Sequence, residues 1–425
     1  MKSVCRPAWA AAATSRLARV GLGAVLAAVA GAAGCSSGHP GAALTIEPVT
    51  STLEHWGSFF GGRHGNFDTL FSPARLIVPG TVTQVGTSNS TEYALLTDGQ
   101  LYAWGLGTDG QLGDGRRADS FTRPVRVRFP AGVKIAWIPT DVMPYDTALA
   151  VDTHGRVWGW GRDGRGELCL GRPAGYLRPV QLPFAHVTAV AGASNHALYD
   201  AGGTVYACGQ NVAGDLGDGT LRSTTTPVPV AGLPRSPVTG LVASFANSGA
   251  LLADGKYFDW GYNQQGQLGD GRAGQPSDVP VRVHLPHPVT QVAQGGSLWG
   301  NGQTLVLLSN GTLRAWGDDR AYQLGNGSTG MEPWPVRIRA PAGVRYQSVA
   351  TGSATSYAVS TAGQVYAWGV SHVGQVGDGG TGTAPASVLV ASGARLISAT
   401  ANNVVISVPD LTVAARPRTG PGTHR

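Results

Sequence analysis

The feature that most constrains this chain is a glycine-rich stretch, GQLYAWGLGTDGQLGDG at Gly99 to Gly115, that returns five more times in altered form. The copies begin at Gly155, Gly203, Gly255, Gly311 and Gly363, so successive starts lie 56, 48, 52, 56 and 52 residues apart. Self-similarity at a period of roughly 50 residues is the mark of a solenoid or a propeller, in which each repeat is one supersecondary unit. A chain of 425 residues would by length alone divide into about two or three domains, but one closed repeat array can be that large. With 63 glycines and only 13% charged residues, short strands joined by tight turns are favoured over helices. The chain reads as all-β.

Each repeat carries the signals of four strands. An apolar run such as Val187 to Val190 is followed by a second at His196 to Leu198, and then by a turn of the Asp98-Gly99, Asn310-Gly311 or Gly202-Gly203 kind. That is the chemistry of a hairpin needing positive φ at its tip; Ala362-Gly363 is the atypical member. A third strand alternates in the manner of Leu101-Tyr102-Ala103-Trp104 and ends on a Trp-Gly pair. After a loop ending in a Leu-Gly-Asp-Gly turn, a proline-led segment closes the unit: Pro124 to Val127, Pro179 to Leu182, Pro227 to Val230, Pro280 to Val283 and Pro335 to Ile338. Proline lacks the ladder donor and so suits an outer edge. Four short antiparallel strands are the content of one propeller blade.

The chain ends set the blade count. Trp56-Gly57, followed by the proline-led Pro73 to Val78, is a second half-repeat without a first, while Ala394 to Ser407 is a first half without a second. Joined in one blade, the two halves complete each other and leave no open edge. The expectation is a seven-bladed β-propeller with four-stranded antiparallel blades, closed by N- and C-terminal segments sharing one blade. The repeat positions Trp56, Gly57, Trp104, Gly105, Trp160, Gly161, Cys208, Gly209, Trp260, Gly261, Trp316, Gly317, Trp368 and Gly369 are assigned to packing between blades.

These repeats, with YAWGLGTDGQLGDG at Tyr102 to Gly115 and YAWGVSHVGQVGDG at Tyr366 to Gly379 as the clearest, resemble those of the regulator of chromosome condensation family over about residues 53–408. The resemblance implies a seven-bladed propeller. The founding eukaryotic member is a nuclear exchange factor for a small GTPase and binds chromatin, and exchange is associated with a β-wedge inserted in one blade. Repeat lengths of 48 to 56 residues leave no such insertion, so exchange activity is not expected. A propeller of related repeats also occurs in an exported bacterial inhibitor of β-lactamases, which makes inhibition of an extracellular enzyme an alternative by analogy.

The first 34 residues read as a leader, with Lys2, Arg6, Arg16 and Arg19 preceding an apolar run from Val20 to Ala33. That run is short for a bilayer span but fits a signal-peptide core. It ends in Ala32-Ala33-Gly34-Cys35, which resembles a bacterial lipoprotein signal cleaved between Gly34 and Cys35 with Cys35 lipidated; Ala32 departs from the usual leucine. Simple secretion is the alternative. Residues 35–44 are assigned to a flexible tether, 45–413 to the propeller and 414–425 to a disordered tail. The protein is expected outside the cytoplasm, at the membrane through its lipid or secreted.

Removing the leader lowers the formal charge from +6 to +2, and removing Arg416, Arg418 and Arg425 takes it to −1. No clustered Lys/Arg stripe is evident in what remains, so nucleic-acid binding is not expected. Cys169 and Cys208 stand where other repeats carry Gly and Trp. They read as two isolated buried thiols, with a disulfide as the alternative in an exported protein.

Several motifs imitate chemistry. Gly105, Gly107 and Gly110, and likewise Gly159, Gly161 and Gly164, spell G-x-G-x-x-G, but a dinucleotide site needs a helix after them. Asp114, Asp218, Asp270 and Asp378 each offer one acid where calcium needs six to eight oxygens, and read as turn formers. His196, His284 and His372 share no ligand spacing and read as surface or strand residues. No cofactor, metal or catalytic residue is assigned. Trp137, Trp158, Trp299 and Trp334 fall outside the repeat position and, with arginines such as Arg116, Arg117 and Arg320, are candidates for a binding face. The ligand-binding residues are otherwise unknown.

The functional expectation is a monomeric, non-catalytic protein-binding scaffold whose contact surface includes the variable segments Arg116 to Thr122 and Ser328 to Trp334. The alternatives are a cell-wall or carbohydrate-binding propeller and a hydrolase with its site in the central channel.

Overall fold

The computed structural model describes residues 50–58, 69–88, 90–139, 147–296, 302–400 and 402–408; the leader, Cys35, the tether, Trp299 and the tail lie outside them. Among the described residues, twenty-eight strands form seven antiparallel sheets of four. Six sheets are built in chain order: blade 2 from Val82–Thr87, Thr91–Leu96, Leu101–Gly105 and Ser120–Arg126, then blades 3 to 7 over 135–181, 187–229, 238–283, 289–337 and 346–391. Blade 1 takes its inner strands Leu396–Thr400 and Asn403–Ser407 from the C-terminal side, and its outer strands Thr50–Ser58 and Thr69–Pro79 from the N-terminal side. Trp56 lies opposite Val404 and Leu53 opposite Ser407. The fold is the seven-bladed propeller with a shared closing blade.

Two local features depart from the sequence reading. At five of the six hairpin tips only the second residue, the glycine, has positive φ, as in +82° at Gly99 and +77° at Gly363 after Asp98 and Ala362 of negative φ; the Gly202-Gly203 tip alone has both, at +62° and +80°. Leu96 O accepts the Gly99 N–H at 3.0 Å, and Gln100 O accepts the Leu96 N–H at 2.9 Å. At those five tips the connection is therefore a three-residue loop with its one left-handed residue at glycine, which is why alanine is tolerated before Gly363, whereas Ala201 and Thr204 pair across a two-residue turn. The outer strands also begin several residues before their prolines, at Ser120, Ala174, Thr224, Ser277 and Met331. Each slips register beside the Trp-Gly pair, as between Ala103 and Gly105.

The core lies between blades. Leu101, Ala103 and Leu112 of blade 2 pack with Ile135, Ala150 and Trp160 of blade 3, and corresponding clusters run round the ring. Trp56, Trp104, Trp160, Trp260, Trp316 and Trp368 are among the largest fully buried side chains. Each such indole removes roughly 150–250 Å² from water, so these joints carry much of the ring's cohesion.

Candidate functional site

The described loops that follow the third strands emerge at the same end of the ring as those joining the first and second strands, and five of these six share one construction. The Trp of one blade donates its indole N–H to a carbonyl in the preceding blade's loop: Trp160 to Gln111, Trp260 to Asp215, Trp316 to Gln267, Trp368 to Gln323 and Trp56 to Gln375, at 2.7–3.0 Å. Two residues beyond that carbonyl stands a glycine, Gly113, Gly217, Gly269, Gly325 or Gly377, at φ between +63° and +83°. A Cβ there would meet the indole nitrogen at 2.6–2.8 Å, closer than side chains tolerate. Glycine and tryptophan are thus two halves of one joint.

Two joints are built otherwise: Trp104 donates its indole N–H to Glu92 Oε2 of its own blade, and the other replaces both partners. Where the pattern calls for glycine and tryptophan, Cys169 and Cys208 form a disulfide, with Cα atoms 5.6 Å apart. The expectation of two isolated thiols is overturned. Cys169 keeps the left-handed backbone of the glycines it replaces, at φ +58°, and Cys208 Sγ sits 3.3 Å from Glu167 O, in place of the indole N–H. Because a Gly contacts the Trp of the next blade, substituting both partners brings their β-carbons together. Repeat arithmetic on the two positions could have found the pair.

The loops are held from within by buried polar groups. In the Gln pattern the side-chain carbonyl accepts the N–H two residues earlier: Gln111 from Asp109, Gln267 from Gln265, Gln323 from Ala321 and Gln375 from Val373. Glu167 does the same with Arg165, but burial, with Asp163 adding its charge, pushes its carboxyl up to about 7. Asp215 is a methylene shorter than the pattern and lacks a hydrogen bond of good geometry on either oxygen; burial pushes it up to about 7. Burial likewise raises Asp163 and carries Asp319 to about 7. Glu167, Asp163 and Asp319 brace their loops by accepting the Arg165, Leu168 and Leu324 N–H groups.

Other residues singled out in the sequence fall into place individually. Asp114, Asp218, Asp270 and Asp378 each accept the N–H two residues on, which fixes their turns. The two G-x-G-x-x-G runs lie in strands and loops, and the described residues contain no helix. His284 and His372 are exposed, whereas His196 is fully buried against Ser248 Oγ at 2.7 Å, its burial lowering it to about 3. Trp158 is buried and donates to Asp152 Oδ2, and Trp137 lines the central channel. Trp334 is 56% exposed.

The channel holds a cavity of about 310 Å³ lined by Gln84, Trp137, Thr188, Thr239, Thr290 and Gln291 together with aliphatic residues and Tyr257. Among the described residues no carboxylate, histidine or cysteine lines it, and no three His, Cys, Asp or Glu side chains gather as a metal site. The rim is different. Val212, Leu221, Val279, Met331 and Trp334 are exposed hydrophobics on the loops after the third strands or at the start of the outer strands they lead into. Trp334 lies over the Gly271 turn of the preceding blade, where a Cβ would meet its ring at 2.0 Å. Val279 occupies the matching place over Gly219.

The repeat geometry agrees with a family model. The regulator of chromosome condensation (RCC1) repeat matches residues 98–139, 154–199, 202–246, 254–304 and 310–359. The chain belongs to this family. It is 29% identical over 292 residues to the ultraviolet-B receptor UVR8 of Arabidopsis thaliana, which covers 67% of this chain and 64% of that protein. It is 26% identical over 353 residues to the human E3 ubiquitin-protein ligase HERC2, covering 81% of this chain and 7% of that one. The chain therefore spans less than two thirds of both relatives. Among solved structures, human WBSCR16 matches with a TM-score of 0.72 and 19% identity over 85% of this chain and 99% of that one. Yeast RCC1 (Prp20), solved bound to Kap60, matches with 0.69 and 21% over 90% and 96%. At these identities the structures bear on the RCC1 fold alone.

Proposed function

We propose that this RCC1-repeat propeller is a non-catalytic scaffold that binds a protein partner through its loop rim, exported from the cytoplasm and tethered to the membrane at Cys35. The observation that carries the binding reading is the exposed arc on the rim, with Trp334 over the Gly271 turn and Met331 three residues before it on the same strand. Exposed aromatic and Met side chains on a rigid frame are the residues that dominate protein interfaces. Yeast RCC1, which shares the fold, was solved with a protein partner. The disulfide supports export, because such bonds persist in oxidising compartments.

The test is affinity capture of the producing cell's exported proteins and wall polymers by the chain and by its Trp334→Asp variant. The reading expects a discrete protein retained by the former and lost with the latter. Retention of wall glycan alone would overturn it in favour of a carbohydrate-binding propeller. Mass spectrometry of the native N-terminus checks the tether: an acylated Cys35 is expected, and an unmodified Cys35 or a start elsewhere rejects it.

A further inference from the structure

From the rim at the Asp114 turn a groove of about 890 Å³ extends along the outer flank of blade 2 to the Asp98-Gly99 turn, with Arg178 and Pro179 of blade 3 beside it. Five cations line it: Arg116, Arg126, Arg128, Lys134 and Arg178. All are exposed, and among the described residues none forms an ion pair. The sequence shows no stripe because these residues lie on one outer strand, two connections and the neighbouring blade; folding gathers them.

The two acids in the groove are already engaged. Asp98 accepts from Gln100 N at 2.9 Å and from Gln100 Nε2 at 2.6 Å, and Asp114 accepts from Arg116 N at 2.9 Å. Arg178 lies over Gly115, where a Cβ would stand 2.6 Å from its Nε, so the absence of a side chain leaves the guanidinium its place. The apolar part of its floor is formed by the half-buried Val125, Phe129 and Val133, which rest on the buried Leu101 and Val127. The formal excess of positive charge in the groove contrasts with a folded region that is near neutral overall.

We infer that this groove binds an extended segment of a partner protein in which acidic and apolar side chains alternate. An extended peptide sends successive side chains to opposite sides, which puts apolar groups on the floor and carboxylates at the rim. Arginine forks pair with carboxylates bidentately. The apolar floor is what separates this ligand from a bare polyanion, which would use the rim alone. The inference rests on the protein-binding reading and assigns it a second contact of defined chemistry.

The experiment measures fluorescence anisotropy of a labelled alternating Glu-Val decapeptide titrated with the full chain. Decaglutamate and polyphosphate of similar length serve as competitors. The Glu-Val peptide is expected to bind more tightly than either, with affinity falling as salt rises. Arg126→Glu/Arg128→Glu should weaken binding by about tenfold or more, as reversal of close interfacial charges does. Arg282→Glu, which holds the same register in blade 5 as Arg126 does in blade 2, should leave it unchanged. All these side chains are exposed, and circular dichroism checks that the variants fold. Tighter binding of decaglutamate or polyphosphate, no binding of the Glu-Val peptide, or equal loss in the Arg282 variant would overturn the assignment. Failure here is distinguishable from failure of the rim: a partner lost with Trp334→Asp but retained by Arg126→Glu/Arg128→Glu leaves the scaffold reading intact and removes only the groove.

Discussion

If the disulfide stands in for a Gly-Trp joint, the joint can be rebuilt by substituting Cys169→Gly and Cys208→Trp together. The bond spans a sequence separation of 39; on the chain-entropy account, cross-linking a loop of that size is worth about 4 kcal/mol. Reducing the wild-type protein should therefore cost about that much, while the double variant should be indifferent to reductant. Cys208→Trp alone is the informative contrast. Its indole would press on the Cys169 Cβ at a place where five other joints show approaches of 2.6–2.8 Å, and overpacking of that kind costs about 1–3 kcal/mol beyond the lost bond. Removing Cβ at 169 relieves it, so the two substitutions should couple favourably in a double-mutant cycle. The assay is guanidinium unfolding followed by far-ultraviolet circular dichroism, with and without dithiothreitol, and free-thiol titration to verify the redox state. Under reducing conditions the expected order of stability is the double variant, then wild type, then Cys208→Trp. A double variant no more stable than Cys208→Trp would refute the joint equivalence.

Three further predictions use the same frame. Asp215→Gln restores the length that accepts the N–H two residues earlier; because burial raises the Asp215 carboxyl to about 7, the native state keeps its proton to higher pH than the unfolded chain. Its stability is full below about pH 4 and declines as pH rises through 7. The glutamine variant should gain on the order of 2–3 kcal/mol at pH 8 and little at pH 4, and an unchanged pH slope would count against it. Glu92 is buried and links Trp104 Nε1 at 2.5 Å, His55 Nδ1 at 3.1 Å and Asn403 Nδ2 at 3.2 Å, so Glu92→Ala should cost about 3 kcal/mol, seen as a lower guanidinium midpoint. Deleting residues 394–425 removes both inner strands of blade 1 and should lower stability far more than its length suggests; unchanged thermal unfolding would contradict closure by the two ends.

The ring was legible because its rules are local. A Trp-Gly pair, a turn ending in glycine and a proline-led strand recur at a countable spacing, and the unmatched halves at the two ends could be added together. What was not legible depends on which residues meet across blades. Glu92 reads as an ordinary polar position in a strand, yet its carboxylate ties an N-terminal histidine to a C-terminal asparagine. Arg116, Arg128 and Arg178 look dispersed in the chain and share one groove. Cys169 and Cys208 look like two separate irregularities, because the contact that unites them runs between consecutive repeats at positions with different names.

The shared blade also sets an order of events. Trp56 must wait for Val404, so the earliest part of the ring to be synthesised is among the last to find its neighbours. Loop closure over so long a stretch adds only about 2 kcal/mol relative to a loop one repeat long, but contacts so distant in sequence make folding slow. Until the final strands arrive, the half-built sheet presents an open edge, and blade 2 lacks Val405 over the apolar face formed by Val85, Ala94 and Trp104. Synthesis that stops short of residue 396 therefore leaves the array unsealed. The arrival of residues 396–407 is what locks the ring.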